Sequence, residues 1–145
     1  MLRRPETFAK EGSKVFRQAP VNANSIRGWI RISEGKIGDA QREENSASTR
    51  LGAAYDAMLN LSLAVLASKG WRCTSADGHH AQALEAACAY AGVTQSVFDR
   101  VDAIRDLRNN QYQGLEPEQG DIDAALAAME RLVPELLALL NQAPR

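Results

Sequence analysis

The chain has 145 residues, 45% hydrophobic and 24% charged, which is the length and composition of one globular domain with a real core and excludes a fibrous or disordered protein. A formal net charge of −1 provides no global basic field, so any nucleic acid has to be met by a local patch. Cys73 and Cys88, with no signal peptide and no metal-spaced Cys or His pair, read as free thiols in a reducing cytosol, and no run of about eighteen apolar residues suggests a membrane span. The expected location is cytoplasmic.

Residues 1–22 form a basic leader, with Arg3, Arg4, Lys10, Lys14 and Arg17 set against Glu6 and Glu11. Phe8, Val15 and Phe16 share a side on a short helix, but Gly12 weakens it and Pro20 closes it, so a loosely held arm is expected. The remainder, 23–145, reads as one helical bundle domain. Its first helix is expected from Asn24 or Ser25 to Glu44, with Ile26, Trp29, Ile30, Ser33, Ile37 and Ala40 on one face. Gly28, Gly35 and Gly38 weaken it.

The second helix, from about Thr49 to Lys69, is apolar nearly all round and is therefore expected at the centre. Its few polar positions include Asp56 and Asn60, one turn apart, which either see water or accept from an arginine on a neighbouring helix. Gly70 ends it, and Trp71 to Thr74 begins a connection. The third helix has Ser75 or Asp77 as expected N-cap and Gly92 beyond its end. His79 and His80, the only histidines, lie in its first turn, where a helix N-terminus disfavours imidazolium. Neighbours on a helix point about 100° apart, so the two are not expected to serve one site easily.

Thr94 caps a fourth helix in which Val97, Val101 and Ile104 line one face. The stripe continues with Arg108, a permanent cation that needs acceptors, a cleft or a partner chain. Tyr112 is expected one turn further along the same face, in a half-buried seam, with Asn109 and Asn110 at the fraying end before Gly114. A fifth helix carries Ile122, Leu126, Met129, Val133, Leu136 and Leu140 at spacings of four and three. Pro134 should bend it, unless two shorter helices meet there. The fold class expected is all-α, an antiparallel up-and-down bundle of about five helices.

Arg108-Asn109-Asn110-Gln111-Tyr112, late in a small helical chain, resembles the signature of the HEPN superfamily (higher eukaryotes and prokaryotes nucleotide-binding), over roughly Ser25 to Asn141. The resemblance implies a homodimer that binds a nucleotide, an RNA or a partner protein through Arg108, Asn109 and Tyr112, with Asp56 as a neighbouring acceptor. It also implies a setting such as a toxin–antitoxin or defence system, with an antitoxin or nucleotidyltransferase as partner. Catalytic members resemble metal-independent ribonucleases and carry His with four to six residues between it and the Arg. Here those positions hold Gln113, Gly114 and Leu115, and Tyr112 arrives earlier. A phenol is a far poorer base than imidazole near neutral pH, so degenerate catalysis is expected. The alternative is a toxin-like ribonuclease with Arg108 and Tyr112 in the catalytic set and the base supplied by His79 or His80. No phosphate loop, nucleophile elbow or metal motif is present, so no metal and no cofactor is expected.

Overall fold

The computed structural model describes residues 1–142, and the last three residues of the 23–145 domain lie outside the described residues. The fold is mostly helical, with six helices packed together and one small two-stranded sheet. In chain order these are α1 (Pro5–Lys10), β1 (Phe16–Gln18), α2 (Ala23–Gln41), α3 (Ala47–Ser68), β2 (Trp71–Cys73), α4 (His79–Ala91), α5 (Gln95–Asn110), a 3-10 turn (Gln111–Gln113) and α6 (Gln119–Gln142). The sixth helix and the sheet correct the expectation of an all-α bundle of about five helices.

Packing follows from α3. Leu51, Tyr55, Met58, Leu61, Val65 and Leu66 are buried on it, and so are Ala53, Ala57 and Ala64 on its other sides. A helix apolar all round has no face to give to water, so α2, α4, α5, α6 and β2 all pack against it. By length and composition α3 is also able to cross a membrane, which corrects the statement that no such run exists. However, 72% of that stretch is buried inside the bundle, so its apolar surface is already used in the core. Ser33 of α2 is fully buried and donates to the Ala57 carbonyl at 3.1 Å, pinning α2 to α3.

The caps explain where helices begin. Asn22 accepts from the Asn24 and Ser25 amides, Ser46 accepts from Thr49, and Thr94 accepts from Val97. α4 departs from expectation: it starts at His79 behind Gly78, with no side-chain cap from Ser75 or Asp77. The cause lies in β2, because the Thr74 amide donates to Val15 O at 2.6 Å and its hydroxyl donates to Lys14 O at 2.7 Å. Those bonds carry the chain along the sheet edge through Thr74, and Gly78, at φ 77°, turns it into the helix. α6 runs through Pro134 as one helix, with the proline exposed, so no second helix meets it there.

The leader is not a loose arm. Phe8, Val15 and Phe16 are buried, the first packed on Phe16 with ring centroids 5.5 Å apart. β1 pairs antiparallel with β2 in the register Phe16 to Cys73, Arg17 to Arg72 and Gln18 to Trp71. Arg3 grips the buried Glu85 of α4 twice, through Nε at 2.8 Å and Nη2 at 3.1 Å, while its own amide donates to the same carboxylate at 2.9 Å. Sequence periodicity missed this because a three-residue strand carries no period and its partner lies about fifty residues away.

Arg3→Ala should leave the Glu85 carboxylate buried with one amide donor. Because Arg3 is nearly half exposed, we expect the loss at the lower end of buried-pair values, about 1–3 kcal/mol. Urea denaturation measures it, and an unchanged midpoint would mean that the leader does not hold α4.

Candidate functional site

Three helices bring charge to one place on the α3 surface. Asp56, one of the few α3 residues that reaches solvent, lies between Lys36 of α2 and Arg108 of α5. Its Oδ1 is 3.6 Å from Arg108 Nη2, and its Oδ2 is 3.7 Å from Lys36 Nζ. Neither approach is a hydrogen bond, since both exceed the usual donor–acceptor range. One carboxylate therefore serves two partly exposed cations at a distance, and neither cation is closely paired with it. Asn60 takes no part, because its amide donates to the Asp56 carbonyl at 2.7 Å along its own helix.

Beneath Arg108 lies Tyr55. The guanidinium carbon sits 5.0 Å from the ring centroid, within cation–π reach. Tyr55 is fully buried, and its hydroxyl has no protein partner among the described residues. Burial pushes its pKa up to about 12 against the pull of Arg108 and Arg105, so the phenol stays protonated. Gln111 Nε2, three residues beyond Arg108, is a second buried polar atom without a partner. Both atoms stand out, since buried donors and acceptors are nearly always satisfied.

His80 completes the cluster from the first turn of α4, its ring 6.4 Å from the Tyr55 ring. Its pKa is lowered, mainly by burial and further by His79 and Arg108, while Asp56 opposes the shift. A lowered value keeps the imidazole neutral near pH 7, able to accept a proton. Contrary to the expected divergence, the His79 and His80 rings lie 4.1 Å apart, and His79 Nδ1 is 3.0 Å from the Ala76 carbonyl. The turn through Gly78 places the first residues of α4 side by side over α3.

Arg105, one turn before Arg108, is occupied by Asp102 at 2.9 Å and Asp106 at 3.5 Å. Arg108, Asp56 and His80 thus come together as a site, with Tyr55 and Lys36 as members that sequence reasoning missed. Tyr55 is also a core residue, and nothing in its spacing signals an unpaired hydroxyl. Lys36 lies among alternating acids and bases along α2, a pattern that reads as a solvated face.

Two other expected members are elsewhere. Tyr112 is 79% exposed on the 3-10 turn and not in a half-buried seam, because that turn breaks the helical register at Asn110. Asn109 is exposed on the outer side of α5. Among the described residues no group of three or more His, Cys, Asp or Glu is placed to hold a metal ion. Neither a protein-family model nor a curated protein matches this chain.

The unpaired hydroxyl gives a direct test. Tyr55→Phe removes a buried polar atom without opening a cavity, so the ligand-free protein should become more stable by roughly 1 kcal/mol. A loss of stability in thermal or urea unfolding would mean that the hydroxyl has a partner.

Proposed function

We propose that this chain is a HEPN-like helical protein, an antiparallel bundle that works as a homodimer and binds a phosphate-bearing ligand, RNA or nucleotide, at Arg108. The observation that carries the reading is the under-paired charge: Arg108 and Lys36 share the single Asp56 carboxylate at 3.6 and 3.7 Å, beside the orphan Tyr55 hydroxyl. A purely structural arginine would be expected to hold its carboxylate in close, forked hydrogen bonds. This one keeps its donors available to planar oxyanions while Asp56 holds it in place. The exposed Tyr112 and Leu115, just beyond Arg108, supply apolar surface for the second protomer. Toxin–antitoxin or defence partners, an antitoxin or a nucleotidyltransferase, belong to this reading through the resemblance alone.

One observation favours the enzymatic alternative, a metal-independent ribonuclease. His80 is held neutral and packs on the same tyrosine as Arg108, so base and cation share one floor. Tyr112, turned out to solvent, contributes nothing to that arrangement within one protomer.

Single-stranded RNA mixed with purified protein, without metal, separates the two. We expect salt-sensitive binding weakened at least about tenfold by Arg108→Ala, consistent with loss of a charge-assisted fork, and little cleavage. Binding unchanged by Arg108→Ala would sink the site. Robust cleavage lost in both Arg108→Ala and His80→Ala would establish the enzyme instead.

For the dimer, sedimentation equilibrium at tens of micromolar, roughly the range of a weak self-association, should show a two-protomer species. Tyr112→Ser combined with Leu115→Ser should shift it toward monomer. A wild-type protein that stays monomeric there contradicts the assembly.

A further inference from the structure

Next to the Arg108 cluster, and sharing His80 with it, a cavity of about 330 Å³ opens between α2, α3, β2 and the start of α4. Leu63, Leu66 and Ala83 form its floor, and Trp29 and Trp71 form its aromatic walls. Trp71 is braced edge-on against Phe16, with centroids 6.5 Å apart, so the wall is part of the core. This is a preformed, largely apolar concavity at the small end of the ligand-pocket range of roughly 300–1,000 Å³. It fits one flat ring system with a substituent.

The polar side of the cavity is positive. Arg72 lines it, with its guanidinium 4.9 Å over the Trp29 ring and Nη2 donating to Ser25 Oγ at 3.1 Å. Among the described residues Arg72 makes no ion pair, a state it shares with several exposed arginines but holds within a cavity wall. The β1–β2 register also sets Arg17 directly opposite Arg72, a like-charge pair that costs stability in a ladder, and among the described residues neither makes an ion pair. His79 and His80, on the opposite wall, begin α4, whose first-turn amides have no side-chain cap. That end of a thirteen-residue helix adds a partial positive charge.

Cys73 also lines the cavity, but burial pushes its thiol up to about 11, so it stays protonated and is no nucleophile there. The chemistry is recognition, without bond making.

We propose that this cavity is a binding site for a small aromatic carboxylate, its ring between Trp29 and Trp71 and its carboxylate on Arg72. A guanidinium fork matches a carboxylate in two parallel hydrogen bonds, and the indole faces stack on a planar ring. Among the described residues Arg72 is the one permanent cation that lines the cavity, a match for a single carboxylate, which sets this ligand apart from the one assigned to Arg108.

The chain has only two tryptophans, and both line the cavity. In ¹⁵N-labelled protein their two indole N–H signals therefore report occupancy directly. The probes are 2-naphthoate, its neutral amide 2-naphthamide, and adenosine monophosphate. We expect naphthoate to move both indole signals saturably, to bind at least about tenfold more tightly than the amide, and to lose that advantage in Arg72→Gln. Should Arg72→Gln fail to fold, the acid and amide comparison on wild-type protein still decides. No indole shift at millimolar naphthoate, equal binding of acid and amide, or tighter binding of adenosine monophosphate would each overturn the proposal.

Discussion

The fold is arranged around a helix that has almost no outside. α3 is buried along most of its length, so α2, α4, α5, α6 and β2 are held against it mainly by apolar contact. The polar groups that α3 does bury are mostly satisfied within the fold: Ser62 donates to the Met58 carbonyl at 2.8 Å, and the Ala57 carbonyl accepts from Ser33. Against that background the Tyr55 hydroxyl is an exception, and Asp56, its neighbour in sequence, is the carboxylate that α3 offers to α2 and α5. Site and core are adjacent residues of one helix.

The arginines divide by how completely they are paired. Where the fold needs one, the pairing is close: Arg3 with Glu85 at 2.8 Å, and Arg105 with Asp102 at 2.9 Å. Arg50 follows the same rule with a backbone acceptor, the Ala40 carbonyl at 2.9 Å, which closes the α2–α3 connection. Arg108 and Arg72 break it, each with its guanidinium against an aromatic ring and without a hydrogen-bonded carboxylate. Cation–π contact positions a guanidinium by its face while leaving the in-plane N–H donors free. A ring in place of an acid thus keeps a cation oriented and still receptive, at Arg108 and Arg72 as also at Arg4, whose guanidinium lies 4.9 Å over the Tyr90 ring.

Much of this was legible in the sequence, and what was not has a physical reason. The four-and-three spacing of Val97, Val101 and Ile104 put Arg108 at the end of an apolar stripe, and the structure places it against the core tyrosine. Thr94, Gly92 and the all-apolar run of α3 fixed element order, because caps and burial are local or nearly so. Tyr112 failed because the 3.6-residue period was extended past Asn110, where the chain tightens to 3-10. The leader failed because its stability comes from β1–β2 pairing and Arg3–Glu85, contacts that span more than fifty residues. The aromatic cavity was invisible for the same reason: Trp29, Trp71 and His80 share no motif, only a place in space.

His80 belongs to both sites, as a wall of the cavity and as a ring over Tyr55 in the Arg108 cluster. Burial is the main influence on its proton affinity and lowers it; His79, Arg108 and Arg105 lower it further, and Asp56 raises it. An oxyanion drawn to Arg108 offsets that cation and favours imidazolium, and a carboxylate in the cavity does so from the other face. By linkage, whatever changes the protonation of His80 at one site changes the affinity of the other. A charge bound beside Arg108 would therefore act on the protonation of a residue that lines the cavity, which is why the two places would not be electrostatically independent.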